Sequence, residues 1–295
     1  MSAPVIAAVG HVALEVADLD QALATATEIM GLRESERGED GWVYLTHGAT
    51  HHSIQYRQAD ADGVHHIGLE AADPEAIVEI RQRLAREGIA VDAERPFDPM
   101  LPEGFVFTLP EGFAIEVYVG MPAGEPAYGT PGVRPIRFGH VNLTVREPDP
   151  IIDVLRRVLD FRTSDIVAGG AFLRCNVDHH GVAVLPGPGV LHHHAWEVGS
   201  VVDLARLGDR LHDLGLHLAW GPLRHGAGRN VAAYFREPAG AIVEYYSDME
   251  RIYDEFGHEP VTWSMEGQDW YSLWSPGIPD GFGDLGVPPV PSPSR

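Results

Sequence analysis

The 295-residue chain contains no lysine and one cysteine, Cys175, and none of its apolar runs approaches the ~18 residues needed to cross a membrane as a helix. A lone thiol excludes an internal disulfide. All 21 basic residues are arginines, outnumbered by 43 acidic ones, for a formal charge of −22. Neutralising a nucleic-acid backbone or an anionic bilayer takes clustered cations, so neither is expected as a partner. The opening MSAPVIAAVG lacks the basic stretch and long apolar core of a secretory signal. Together these absences predict a reduced, cytoplasmic protein, in which the sequon Asn142-Leu143-Thr144 carries no glycan.

What is present is an ordinary globular composition, 44% hydrophobic and 22% charged, long enough for about two domains of 100–200 residues. Self-comparison organises it. Four segments open alike: Gly10-His11-VALEVAD, His65-His66-IGLEAAD, Gly139-His140-VNLTVRE and His192-His193-HAWEVGS. Each is a short β-rich run followed by a stretch at helical spacing: Leu19, Leu23, Ala26, Met30; Ile77, Ile80, Leu84; Ile152, Leu155, Leu159; Leu204, Leu207, Leu211. Glycines 31, 88 and 215 stand where three of these helices should stop. Strand-like runs such as GWVYLTH, FVFTLP, AAYFREP and AIVEYYS follow, so the repeated unit reads as βαβββ.

The spacing pairs the units into halves. His11 and His66 are 55 residues apart and His140 and His193 are 53; His66 to Glu116 is 50 and His193 to Glu244 is 51. We therefore expect an α+β protein of four βαβββ modules in two tandem domains. The N-terminal one should span residues 1–120 and the C-terminal one 136–250, joined by a Pro/Gly-rich linker at 121–135. Residues 251–295 then form a tail lying over the surface or fraying, with Trp263, Trp270 and Trp274 roofing a pocket, making a subunit contact or packing in a core.

In the second half, His140 and His193 occupy equivalent points of two first strands, and Glu244 lies in a last strand. If the two modules pair about a pseudo-twofold axis, the three side chains converge with half an octahedron open. Two imidazoles and one carboxylate form the ligand set of non-haem Fe(II) oxygenases. Glu244 sits in the apolar run AIVEYY, where an unpaired carboxylate costs several kcal/mol; a metal is an adequate partner, and an arginine is the alternative. On a strand His192, His193 and His194 alternate faces, so His193 should point away from both neighbours, and alignment with His65-His66 selects it as the ligand. Cys175 reads as a buried strand residue.

Between residues 137 and 248 the motifs Arg224-His225, Tyr234, Pro238-Ala-Gly240 and Glu244-Tyr245-Tyr246, with FLRCNVDHHGVAV and LHHHAWEV before them, resemble the type I extradiol catechol dioxygenases of the vicinal oxygen chelate superfamily. At the level of the βαβββ repeat the resemblance covers nearly the whole chain, and it implies two glyoxalase/extradiol dioxygenase-like domains. It implies metal ligands His140, His193 and Glu244, acid/base histidines His180 and His225, and Tyr234 bonding a substrate oxygen. Of the pair His179-His180 the family pattern favours the second, leaving His179 as a solvated or hydrogen-bonded strand residue; Tyr234 could instead be a plain strand aromatic. The implied cofactor is Fe(II), with Mn(II) possible, and the implied partners are a catecholic small molecule and O2, in a homo-oligomer of aromatic-hydrocarbon catabolism.

Other readings remain open at this level: a glyoxalase-like isomerase, a keto-acid-dependent oxygenase, or a non-catalytic protein binding an aromatic ligand. Arg224, Arg229 and Arg236 are candidates for a substrate carboxylate. The first half keeps His11, His66 and Glu116, plus His51-His52. Counting back from Glu116 as His225 and Tyr234 stand before Glu244 gives Phe97 and Val106, so no turnover is expected there, while metal binding stays open.

Overall fold

A computed structural model of the chain describes residues 4–125, 129–238, 240–254, 257–264, 266–275 and 277–291. The first half carries strands β1 (Ile6–Val16), β2 (Arg33–Arg37), β3 (Val43–Thr46), β4 (Ile54–Gln58), β5 (Gly63–Ala71), β6 (Glu103–Thr108) and β7 (Ala114–Val119), with helices α1 (Leu19–Ala24) and α2 (Pro74–Glu87). The second carries β8 (Arg137–Val145), β9 (Arg162–Val167), β10 (Gly170–Arg174), β11 (Val182–Pro186), β12 (Val190–Glu197), β13 (Trp220–Arg224), β14 (Val231–Arg236) and β15 (Ile242–Ser247), with α3 (Pro148–Arg157) and α4 (Val201–Asp213); a short β16 (Val261–Trp263) comes from the tail. The sheet orders are β2-β3-β4-β1-β5-β7-β6 and β13-β14-β15-β12-β8-β11-β10-β9-β16.

In each sheet the first strands of two modules pair antiparallel, β1 with β5 and β8 with β12, which is the pseudo-twofold relation the repeat implied. Helix starts follow the local chemistry: the Asp73 carboxylate accepts the Ala76 N–H, and Ser200 with Asp203 forms a capping box. Gly31, which follows a π-helical turn (Thr25–Ile29) continuing α1, and Gly88 and Gly215, just past α2 and α4, all take positive φ between 65° and 73°.

Alternation along the strands decides which face is core and which is site. On β8, Val141, Leu143 and Val145 enter a continuous apolar core that also takes Ile151 and Leu155 of α3, while His140, Asn142 and Thr144 turn to the opposite face. That core runs through both halves. Across the junction the Tyr245 hydroxyl donates to the carbonyls of Met30 and Val133, and Arg210 bonds the Glu28 carbonyl.

Several elements depart from the sequence reading. The second module has two strands after its helix rather than three: residues 92–102 make only a bridge, Ala93 to Val106, because Pro96, Pro99 and Pro102 remove the donors a ladder needs. His179 and His180 lie in the turn between β10 and β11, not in a strand, and Cys175, though buried, sits just past β10. Nor does the tail simply cover surface. β16 adds to β9, Val287 bridges to Leu191, and Ile278 and Phe282 reach the site face of the second sheet.

Candidate metal centre

Three neighbouring strands of the second sheet deliver three side chains to one point. Glu244 Oε2 lies 3.2 Å from His140 Nε2 and 3.1 Å from His193 Nε2, and all three residues are buried. Donors bound at about 2.0–2.2 Å to one ion sit roughly 3.0–3.6 Å apart, so these separations suit a shared cation. Gly139 permits the approach beside His140: a Cβ there would fall 2.0 Å from the Tyr246 hydroxyl.

The surrounding hydrogen bonds fix where the protons are. His192 Nε2 lies 2.8 Å from the Phe282 carbonyl, which only accepts, so this nitrogen carries the hydrogen. Burial lowers His192 to about 3, leaving it neutral, and its Nδ1 must then accept from His193 Nδ1 at 2.8 Å. His193, also lowered by burial despite the opposing pull of Glu244, therefore presents a bare Nε2 lone pair to a carboxylate oxygen. Two lone pairs at 3.1 Å repel unless a cation lies between them. The other Glu244 oxygen, Oε1, accepts from the Asn230 amide at 3.0 Å. Burial would raise the Glu244 carboxyl, but the neighbouring His140 leads the groups that hold it well below the usual carboxylate range. The donor set and its proton arrangement thus fit a divalent metal.

Beside the triad opens a cavity of about 420 Å³, within the ordinary range for small-molecule sites. The Tyr234 hydroxyl stands 2.7 Å from His225 Nε2, and the His180 ring lies 4.3 Å from that of His140. All three residues line the cavity with the triad, so the six positions singled out in the sequence come together.

The superfamily model described as glyoxalase/bleomycin resistance protein/dioxygenase matches twice, at residues 8–117 and 137–245. The chain belongs to this superfamily. It is 28% identical over 90% of its length to a manganese-dependent 2,3-dihydroxybiphenyl 1,2-dioxygenase of Geobacillus genomosp. 3, covering 94% of that protein, and 27% identical over 86% to a metapyrocatechase of Pseudomonas sp. strain CF600, covering 89%. Its fold matches the Mn(II)-bound glyoxalase of Novosphingobium aromaticivorans with a TM-score of 0.87 at 27% identity, over 98% of both chains.

In this superfamily chain the His-His-His run does not alternate as expected. A β-bulge after Leu191 leaves His192 unpaired with β8, so His192 and His193 both turn toward the cavity while His194 points to the opposite face, where it meets Glu237 and the Trp196 indole N–H. None of the three candidate arginines lines the cavity: Arg224 pairs with Asp248, and Arg229 and Arg236 are exposed. Residues not foreseen as part of the site are Asn142, Thr144, Asn230, Trp220 and Phe282. Asn142 and Thr144 were legible, since polar side chains at every second position from His140 mark one strand face. Their burial also seals the Asn142 sequon from any glycan.

Proposed function

We propose that the chain is an extradiol dioxygenase that opens the ring of a catechol bearing an apolar substituent. The observation that carries this is the His193 lone pair facing Glu244 in the same cavity as a hydrogen-bonded Tyr234–His225 pair. His140, His193 and Glu244 would hold Fe(II) or Mn(II). When bound, that ion supplies Lewis acidity toward the two catechol oxygens and exchanges electrons with O2. The named relatives, a dihydroxybiphenyl dioxygenase and a metapyrocatechase, support the same class.

The chain's own residues handle the protons. Burial raises the Tyr234 phenol well above its ordinary value and lowers His225 to about 4, so the pair rests as phenol and neutral imidazole. The His225 ring also bonds the Tyr271 backbone, and as a neutral imidazole its Nε2 can accept the Tyr234 hydroxyl while the Tyr234 oxygen receives a catechol proton. On the far side of the triad, His179 Nε2 lies 3.3 Å from Asp165 and its Nδ1 lies 3.0 Å from His180 Nδ1. A proton donated from His179 to Asp165 obliges His180 to donate through Nδ1, so its Nε2 is a free acceptor. Burial first, then the neighbouring His140 and His179, lower His180 well below the usual histidine value. It therefore rests as a base and delivers a proton only after taking one. Dioxygen enters the product whole, and no outside reductant is needed.

The walls argue for the substituent: Val167, Phe172, Leu185, Trp220, Trp270 and Phe282 line the cavity, and Glu244 is its only charged lining residue among those described. The carboxylate of a carboxylated catechol would find no arginine among the described lining residues. On this reading residues 1–120 are a non-catalytic unit, 121–135 a linker, 136–250 the catalytic unit and 251–295 a tail closing the pocket, in a cytoplasmic homo-oligomer. Oxygen-electrode assays of the metal-loaded protein test the reading. A biaryl diol should exceed a carboxylated catechol in kcat/KM by at least tenfold, and preference for the carboxylated ring would overturn it.

A further inference from the structure

The first half holds a second cluster built on the same plan but closed. His11 Nε2 lies 3.1 Å from Glu116 Oε2, 3.4 Å from Asp98 Oδ2 and 3.1 Å from His66 Nε2, with His66 Nε2 3.7 Å from Glu116 Oε2. These four donors lie within 4.8 Å of one another, and none of the four residues is more than 2% exposed. Four ligands held tetrahedrally at about 2.0–2.2 Å stand roughly 3.3–3.6 Å apart, the middle of the observed range.

Each carboxylate is tied by one oxygen and bare at the other. Glu116 Oε1 accepts the backbone N–H groups of Phe97 and Asp98 at 2.6 and 3.1 Å, and Asp98 Oδ1 accepts the Gln55 amide at 2.8 Å, which also stands 3.2 Å from His66 Nε2. The inward oxygens, Glu116 Oε2 and Asp98 Oδ2, accept no hydrogen bond although both are buried. His52 Nε2 comes within 2.9 Å of Asp98 Oδ2 but is misaligned, and it too goes unpartnered. Buried polar atoms almost always find partners, so two bare carboxylate oxygens aimed at two imidazole nitrogens need an explanation. His66 is braced from behind by His65, Nδ1 to Nδ1 at 2.8 Å, as a metal-binding imidazole usually is.

We propose that His11, His66, Asp98 and Glu116 hold a second divalent first-row transition metal, in a site that is structural and not catalytic. The two carboxylates neutralise the ion, and four protein ligands leave it no open position. Register shows why the chemistry is absent. Val106 faces Glu116 across β6 and β7 where Tyr234 faces Glu244 across β14 and β15, and the Phe97 ring packs 5.2 Å from His66. Asp98 is the added ligand. It comes from the proline-rich segment that failed to form a strand, so loss of that strand and gain of the fourth donor are one structural event. This assignment does not depend on the ring-cleavage reading.

The test is metal stoichiometry of the full chain after saturation with Zn(II) or Mn(II) and desalting. Two ions per chain are expected, one remaining in a His140→Ala/His193→Ala variant and one in an Asp98→Asn/Glu116→Gln variant, whose second-half ion doubles as the folding control. If the latter fails to fold, wild type and His140→Ala/His193→Ala decide alone. One ion in wild type and none after His140→Ala/His193→Ala overturns the proposal.

Discussion

Replacing Asn230 with alanine isolates the bond that frees one Glu244 oxygen for a metal. The Asn230 amide donates to Glu244 Oε1 at 3.0 Å, and both residues are buried, so water does not readily substitute. Hydrogen bonds to charged groups are worth about 1.5–3 kcal/mol, and loss of a partner behind a metal ligand typically weakens metal binding about 10- to 100-fold, or about 1.4–2.7 kcal/mol. The two scales agree, so Asn230→Ala should raise the second-half Kd by one to two orders of magnitude. Competition titration against a chromophoric chelator reads this directly, in a background carrying Asp98→Asn/Glu116→Gln so that only one site is counted. An unchanged Kd, within about twofold, refutes the argument that Glu244 is held for ligation by Asn230.

The His-His-His run gives opposite outcomes one residue apart. His193→Ala should lose the second-half ion with a modest change in Tm. By contrast, His194→Ala should keep the ion but lower Tm, because Trp196 Nε1 and Glu237 lose a buried partner at about 1–3 kcal/mol each; differential scanning calorimetry with metal analysis separates the two. Stability of the metal-free protein should fall as pH drops from 7 to 5. Burial lowers His65 to about 4 and His192 to about 3, so between those values and about 6.5 the unfolded chain binds more protons than the folded one, and each residue costs about 2 kcal/mol by pH 5. His11 acts in the opposite sense: burial would lower it, but Glu116 and Asp98 raise it. A Tm that rises on acidification contradicts this balance.

Much of the fold was readable because its signals are local or repeated. Period-two alternation marked the strands, helical spacing and terminal glycines marked the helices, and the duplicated openings implied the paired modules. The convergence of His140, His193 and Glu244 followed from the symmetry of the repeat. Features set by register or by distant chain were not readable. A bulge that keeps His192 beside His193 depends on pairing with β8, not on the His-His-His run itself. Asp98 enters its cluster only because a proline-rich stretch leaves the sheet, and Phe282 meets Tyr234 and Trp220 from 48 and 62 residues away in the chain. Burial also decides the chemistry of His180, which the resemblance implied only as one of two acid/base histidines.

The most direct test of the ring-opening site is a single turnover in isotopically labelled dioxygen. The protein, loaded anaerobically with Fe(II) or Mn(II) and given a biaryl catechol, is exposed to ¹⁸O₂ without added reductant, and the product is weighed by mass spectrometry. A ring-opened product carrying both labelled atoms is expected, and none from the His193→Ala variant. Catechol recovered unchanged from protein whose second-half site is fully metallated contradicts the account.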